Sequence, residues 1–156
     1  MKKVTLTTEK VLTAFNVLKG ASYQKMTDDD KIKLWKIARA MKPIATKFDE
    51  DSKDAAEKLK PEGFDDDLRK AQEYERVTKD KDADASKLEM GAAEYGEFIK
   101  KLKEMNKLVA DALKEFADKE VDIDFEPISE DAFTKLMASN DWTMEQAVMI
   151  GELIVA

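Results

Sequence analysis

A chain of 156 residues suits one domain whose core is large enough to need neither metal nor disulfide. It contains no cysteine and no histidine, which excludes disulfide frameworks, thiolate zinc sites and every histidine-dependent triad, and removes the commonest general base. The net charge of −7 argues against a grip on nucleic-acid phosphates or anionic lipid, and 39% charged residues with only 5 Gly and 3 Pro predict long solvated helices.

In chain order, Lys3 to Thr7 alternates as a short strand, with Val4 and Leu6 on one face. Thr7 or Thr8 then caps a helix whose stripe is Val11, Leu12, Phe15 and Leu18, and Gly20 ends it. Thr27 caps a second helix, with Asp28, Asp29 and Asp30 in the positive first turn; these acids read as capping residues and not as a cation site. That helix carries Leu34, Ala38, Met41, Ala45, Phe48, Ser52, Ala55 and Leu59 at alternating spacings of four and three. Trp35, Ile37 and Ile44 widen its apolar face, so a third element, most simply the first helix, is expected against its first half. Pro43 predicts a kink, and Lys60-Pro61-Glu62-Gly63 a stop.

Phe64 to Met90 is ambiguous. Leu68, Ala71 and Tyr74 favour a helix capped from Asp65 to Asp67, while Glu73 to Thr78 alternates weakly as a strand would. Asp80, Asp82 and Asp84 have the first spacings of a calcium loop, but Ala85 replaces its turn glycine and Gly91 its bidentate glutamate, so a solvated acidic loop is expected.

Tyr95, Phe98, Leu102, Met105, Val109, Ala112 and Phe116 form a second seam of the heptad kind. Its length matches the earlier one, roughly 30 to 40 Å at about 1.5 Å per residue. The two predict a long antiparallel helical hairpin, although heptads leave open whether each seam meets the other or a second copy of the chain. Val121 to Phe125 alternates strictly as a half-buried strand. Its acidic face suits Lys2 and Lys3, so an antiparallel pair with the N-terminal strand is expected, resting on the helices.

Ser129 caps a short helix bearing Phe133, Leu136 and Met137, which Asn140 and Asp141 break. Thr143 and Gln146 form a capping box for a last helix that is apolar on more than one face. That helix is either the buried plug of the domain or a partner surface made of Met144, Val148, Ile150, Leu153 and Ile154. The fold class is thus mainly α: a single domain, 1–156, with a hairpin arm at about 45–105 projecting from a base of 1–44 and 106–156.

The sequence holds no glycine-rich phosphate loop, nucleophile elbow or HExxH motif, and no residue is selected as catalytic, cofactor-binding or metal-ligating. The order of short strand, helix with Leu12 and Phe15, long hairpin with an acidic tip, and Lys119-Glu120-Val121-Asp122-Ile123 resembles small uncharacterised proteins encoded among phage and prophage tail and structural genes. The resemblance covers about the first 125 residues; it implies a phage origin and a role in virion assembly but carries no site residues. The expected function is non-enzymatic protein binding or assembly without a cofactor, through a protein partner or self-association and with neither nucleic acid nor membrane. The alternative is a carboxylate-based metal-dependent enzyme. No apolar run approaches the roughly 20 residues that span a bilayer and no signal-peptide core follows Met1, so a cytoplasmic location is expected, in the bacterial host on the phage reading.

Overall fold

Helix boundaries follow local capping chemistry. In the computed structural model, which describes residues 1–80 and 82–156, Thr7 Oγ1 accepts the Lys10 N–H and opens helix α1 (Thr8–Lys19), which closes at Gly20. Thr27 Oγ1 accepts the Asp30 N–H at 3.2 Å and opens α2 (Asp28–Lys58), which runs unbroken through Pro43. Gly63, at φ 72°, turns the chain into α3 (Phe64–Lys79). The ambiguous segment therefore begins as a helix. Its cap is Gly63, and Asp65 to Asp67 lie in the first turn, facing the positive end of the helix dipole.

A single 3₁₀ turn, Ala85–Lys87, leads to α4 (Ala92–Asp118). Ser129 and Thr143 then cap α5 (Glu130–Ala138) and α6 (Met144–Ile154), the latter with both bonds of the capping box. Strands β1 (Lys2–Thr7) and β2 (Glu120–Phe125) pair antiparallel, with Val4 opposite Ile123 and Leu6 opposite Val121. The described residues are mainly helical, with a long helix, α2, and a two-stranded antiparallel ribbon.

Two compact units divide the chain, Met1–Asp51 with Glu115–Ala156, and Ser52–Lys114. The core of the first unit joins Val11 and Ala14 of α1, Ile37 and Met41 of α2, Ile123 and Phe125 of β2, Leu136 of α5, and Ile150 and Ile154 of α6, with Val4 and Leu6 of β1 packed against it. At about 1.5–3 kcal/mol for each large apolar side chain removed from water, this cluster is what holds the ribbon in place, since a two-stranded ribbon is marginal alone. The C-terminus is stitched to the segment after β2. Ile128 N–H donates to Ile154 O at 2.9 Å, and Ala156 N–H donates to Ile128 O at 3.0 Å, forming a one-bridge parallel pairing.

One side chain locks the α1–α2 connection to α5. Asn140 Oδ1 accepts the Ser22 N–H at 2.8 Å, while its Nδ2 donates to Ser22 O and Leu136 O, both at 2.8 Å. Asn140 is more than a helix breaker: it caps a helix C-terminus and clamps a loop with one amide.

The second unit has its own apolar cluster. Phe64 and Ala71 of α3, Phe98 of α4 and Met90 between them are buried, and Leu68, Tyr95, Ile99, Leu102 and Met105 pack around them. The α4 stripe from Tyr95 to Met105 therefore finds its apolar partner in α3, the segment whose conformation the sequence left ambiguous. Phe64 and Phe98 approach with ring centroids 5.8 Å apart, Tyr74 stacks on Tyr95 at 4.5 Å, and Tyr95 Oη donates to Glu75. That bond, with partial burial, holds the Tyr95 hydroxyl pKa above its usual 10.0.

Two sequence expectations change here. Trp35 does not widen the buried face of α2; it is 56% exposed and lies beneath the Arg39 guanidinium, 5.0 Å from its ring centroid, whereas Ile37 is fully buried. Spacing explains it: Ile37 falls between Leu34 and Met41 on one face, and Trp35 aligns with Arg39 and Lys42 on the opposite one. Lys2 also does not pair with the acidic face of β2. Its Nζ donates to Glu152 O and Val155 O, leaving Lys3 to pair with Asp122 at 3.4 Å.

Candidate functional site

Alternation along β1 puts Lys2, Val4 and Leu6 on the face turned to the helices, and Lys3 and Thr5 on the other. The Lys2 ammonium, 2.9 Å from Glu152 O and 2.8 Å from Val155 O, caps the negative C-terminal end of α6 and ties the start of β1 to the end of that helix. The opposite end of α6 is fixed by Thr143, whose N–H donates to Gln146 Oε1 at 3.0 Å while its hydroxyl accepts the Gln146 N–H. Strand and helix together line a groove of about 580 Å³.

The walls of the groove are apolar: Val4 and Leu6 from β1, and Met144, Val148, Met149 and Leu153 from α6. Lys10, Glu145 and Glu152 supply its polar rim. From the ribbon it takes Val4 and Leu6, on the helix-facing side of β1, and no residue of β2. Among the described residues, β1 makes no backbone hydrogen bond outside its pairing with β2. A strand with one partner leaves about half of its N–H and C=O groups pointing outward.

The five residues read from the sequence as a partner surface separate into two faces. Met144 is 78% and Val148 50% exposed, and both line the groove. Ile150 and Ile154 are fully buried, and Leu153 is buried with only its edge on the groove. Ile150 and Ile154 are therefore core and not partner surface: they share a helix face with Ala147 that packs against α1 and α5, while Met144 and Val148, four residues apart, face outward. One face of α6 is thus the buried plug, and the other, at Met144 and Val148, is exposed. The sequence missed Val4, Leu6 and Met149 as groove residues. The alternation of Val4 and Leu6 was visible, but nothing local said that α6 would lie beside them.

At the other face of the ribbon, Thr5 Oγ1 donates to Asp122 Oδ1 at 2.6 Å, and with Lys3 it holds the Asp122 carboxyl below its usual 3.8. The acidic loop is engaged in its own turns: Asp80 Oδ1 accepts the Asp82 N–H, and Asp84 Oδ1 accepts both the N–H and the hydroxyl of Ser86. Lys81, between them, lies outside the described residues. Among the described residues, no three acidic side chains come together where they could hold a metal ion, and no helix is long and apolar enough to cross a membrane.

Compared with known proteins, the chain matches no family model, no curated protein and no solved structure.

Proposed function

We propose that the protein is a non-enzymatic binding module that receives an extended segment of a partner protein in the groove between β1 and α6. The observation that carries this reading is that β1 both has an outer edge with no backbone partner among the described residues and lines an apolar trough together with α6. An extended peptide added to β1 satisfies the outward N–H and C=O groups, and every second side chain drops onto Met144, Val148 and Met149. Backbone bonds supply sequence-independent affinity; the trough supplies preference for apolar residues at alternate positions. If the resemblance to phage structural-gene products holds, the occupant is a strand from another component of the same assembly. The alternative read from the sequence, a carboxylate-based metal enzyme, draws no support from the described residues, whose carboxylates form no ligand cluster.

Selection from a random display library of short peptides tests this. Enriched peptides should alternate apolar and polar residues, protect β1 backbone amides from hydrogen exchange when bound, and lose binding to a Val148→Glu variant that melts normally. Enrichment of helical peptides, or protection that bypasses β1, overturns the proposal.

A further inference from the structure

The exposed face of α2 is a second surface, with chemistry unlike that of the groove. Between Asp30 and Asp49 the helix carries Lys31, Lys33, Lys36, Arg39, Lys42 and Lys47 and not one carboxylate, in a chain whose net charge is −7. Two of these cations are engaged, Lys31 with Asp28 at 3.8 Å and Lys33 with Glu126 at 3.2 Å. Among the described residues, Lys36, Arg39, Lys42 and Lys47 have no carboxylate within ion-pair distance. Charge is therefore segregated along one helix, with an unneutralised basic stretch followed directly by the acidic run of Asp49, Glu50 and Asp51.

Large apolar side chains stand among these cations. Trp35 is 56% exposed, Ile32 51% and Tyr23, from the α1–α2 connection, 51%. Ile32, Trp35, Arg39, Lys42 and Thr46 follow one another at spacings of three, four, three and four, a single helix face. A hollow of about 390 Å³ opens among Lys19, Tyr23, Lys31, Ile32 and Trp35, and a second, of about 450 Å³, follows along Arg39, Lys42, Pro43 and Lys47, with Glu50 as its one carboxylate. Tryptophan, tyrosine and arginine are the residue types that dominate binding energy at protein interfaces, and here all three are present without an internal packing role that explains their exposure.

We infer that this face of α2 docks an acidic amphipathic segment of a partner protein, whose apolar side chains enter the hollow at Trp35, Ile32 and Tyr23 while its carboxylates meet Lys36, Arg39, Lys42 and Lys47. Charge complementarity selects the sign of the partner, and the apolar half of the face selects its class. A polyphosphate backbone has no use for Ile32 and Trp35 as a joined patch and is repelled at long range by the net charge of −7. Opposite charges steer the encounter and the aromatic anchor sets the lifetime of the complex. The surface is independent of the groove at β1, so either can fail without the other.

The experiment uses the full chain and a synthetic peptide of about 16 residues, long enough for the roughly 22 Å from Ile32 to Lys47. The peptide is an amphipathic helix of glutamates with leucine and tryptophan anchors; controls are its lysine-for-glutamate counterpart, polyglutamate and duplex DNA. The acidic amphipathic peptide should bind saturably and weaken several-fold as salt rises from about 0.05 to 0.5 M. Trp35→Ala and the Arg39→Glu, Lys42→Glu double variant should each lose tenfold or more, while Val148→Glu binds as the parent does. All three changes are at exposed positions, and a melting curve for each verifies the fold. Equal binding of the basic peptide, indifference to Trp35→Ala, tighter binding of DNA, or absence of saturable binding overturns the inference. So does a dimer by light scattering that the Trp35→Ala variant dissolves, because the occupant would then be a second copy of the chain.

Discussion

Asn140 gives the sharpest test of the fold, because a single amide joins two segments that are far apart in the sequence. Its three hydrogen bonds, all 2.8 Å, link Ser22 to the C-terminal end of α5. A net hydrogen bond is worth about 0.5–1.5 kcal/mol, and the two to Ser22 are exposed enough for water to replace them, so Asn140→Ala should cost about 1–2 kcal/mol. For a chain of this size that corresponds to a fall in Tm of about 2–8 °C. Asn140→Asp should cost at least as much at neutral pH. The carboxylate keeps the bond from Ser22 N–H but faces the carbonyl oxygens of Ser22 and Leu136 at the negative end of α5. Those neighbours raise the folded-state pKa of the new carboxyl, so the deficit is present at neutral pH and shrinks as pH falls through that value, where the protonated acid can donate. Urea denaturation at neutral and acidic pH measures both variants, and hydrogen exchange at Ser22 reports the local contact. An Asn140→Asp protein more stable than Asn140→Ala at neutral pH would refute the geometry.

Ile150→Ala should cost about 2–5 kcal/mol, while Val148→Ala should stay within about 0.5 kcal/mol; similar values in thermal melts would mean that α6 is rotated from the orientation described. Gly151→Ala places a Cβ 3.1 Å from Cε1 of Phe133, so crowding of about 1–3 kcal/mol should outweigh a helix-propensity gain of up to about 1 kcal/mol. Adding Phe133→Leu should restore stability, and fluorescence should report the disturbed Phe133–Trp142 contact. The depressed Asp122 carboxyl stabilises the ribbon above its usual 3.8, and that stabilisation is lost as pH falls through the lower folded-state value. Thr5→Val should therefore move the Asp122 titration upward in a carboxyl NMR experiment; an unchanged midpoint would remove Thr5 as the principal cause.

Much of the fold was legible because the signals are local. Thr7, Thr27, Ser129 and Thr143 bond to amides within three residues, so those four helix starts could be read directly, whereas the start of α3 was placed at Asp65 to Asp67 and lies at Gly63. The ribbon was legible because strict alternation from Val121 to Phe125 has only one helical-fold use, as a strand with one buried face. What could not be read was non-local. Trp35 looks like core in composition, and only the packing of Ile37 decides that it faces out. The α4 stripe states that it needs a partner without naming α3. Asn140 has the same local signature whether it merely ends a helix or also holds Ser22. The groove was half legible: Met144 and Val148 are visible on α6, but the opposite wall at Val4 and Leu6 comes from the other end of the chain.

That last pairing governs the order in which the molecule can be made. β1 is synthesised before the second unit, Ser52–Lys114, and its partner β2 emerges only after the whole of that unit has been added. At ribosomal speeds the wait is on the order of ten seconds, long compared with the microseconds to milliseconds that local helices need to form. Through that interval the second unit has its apolar cluster in hand, while Val4 and Leu6 have neither strand nor α6 beside them. Two nascent chains held close together, as on one messenger, could exchange β2 segments and close each other's ribbons. The same delay would let a partner strand engage β1 before the protein's own does.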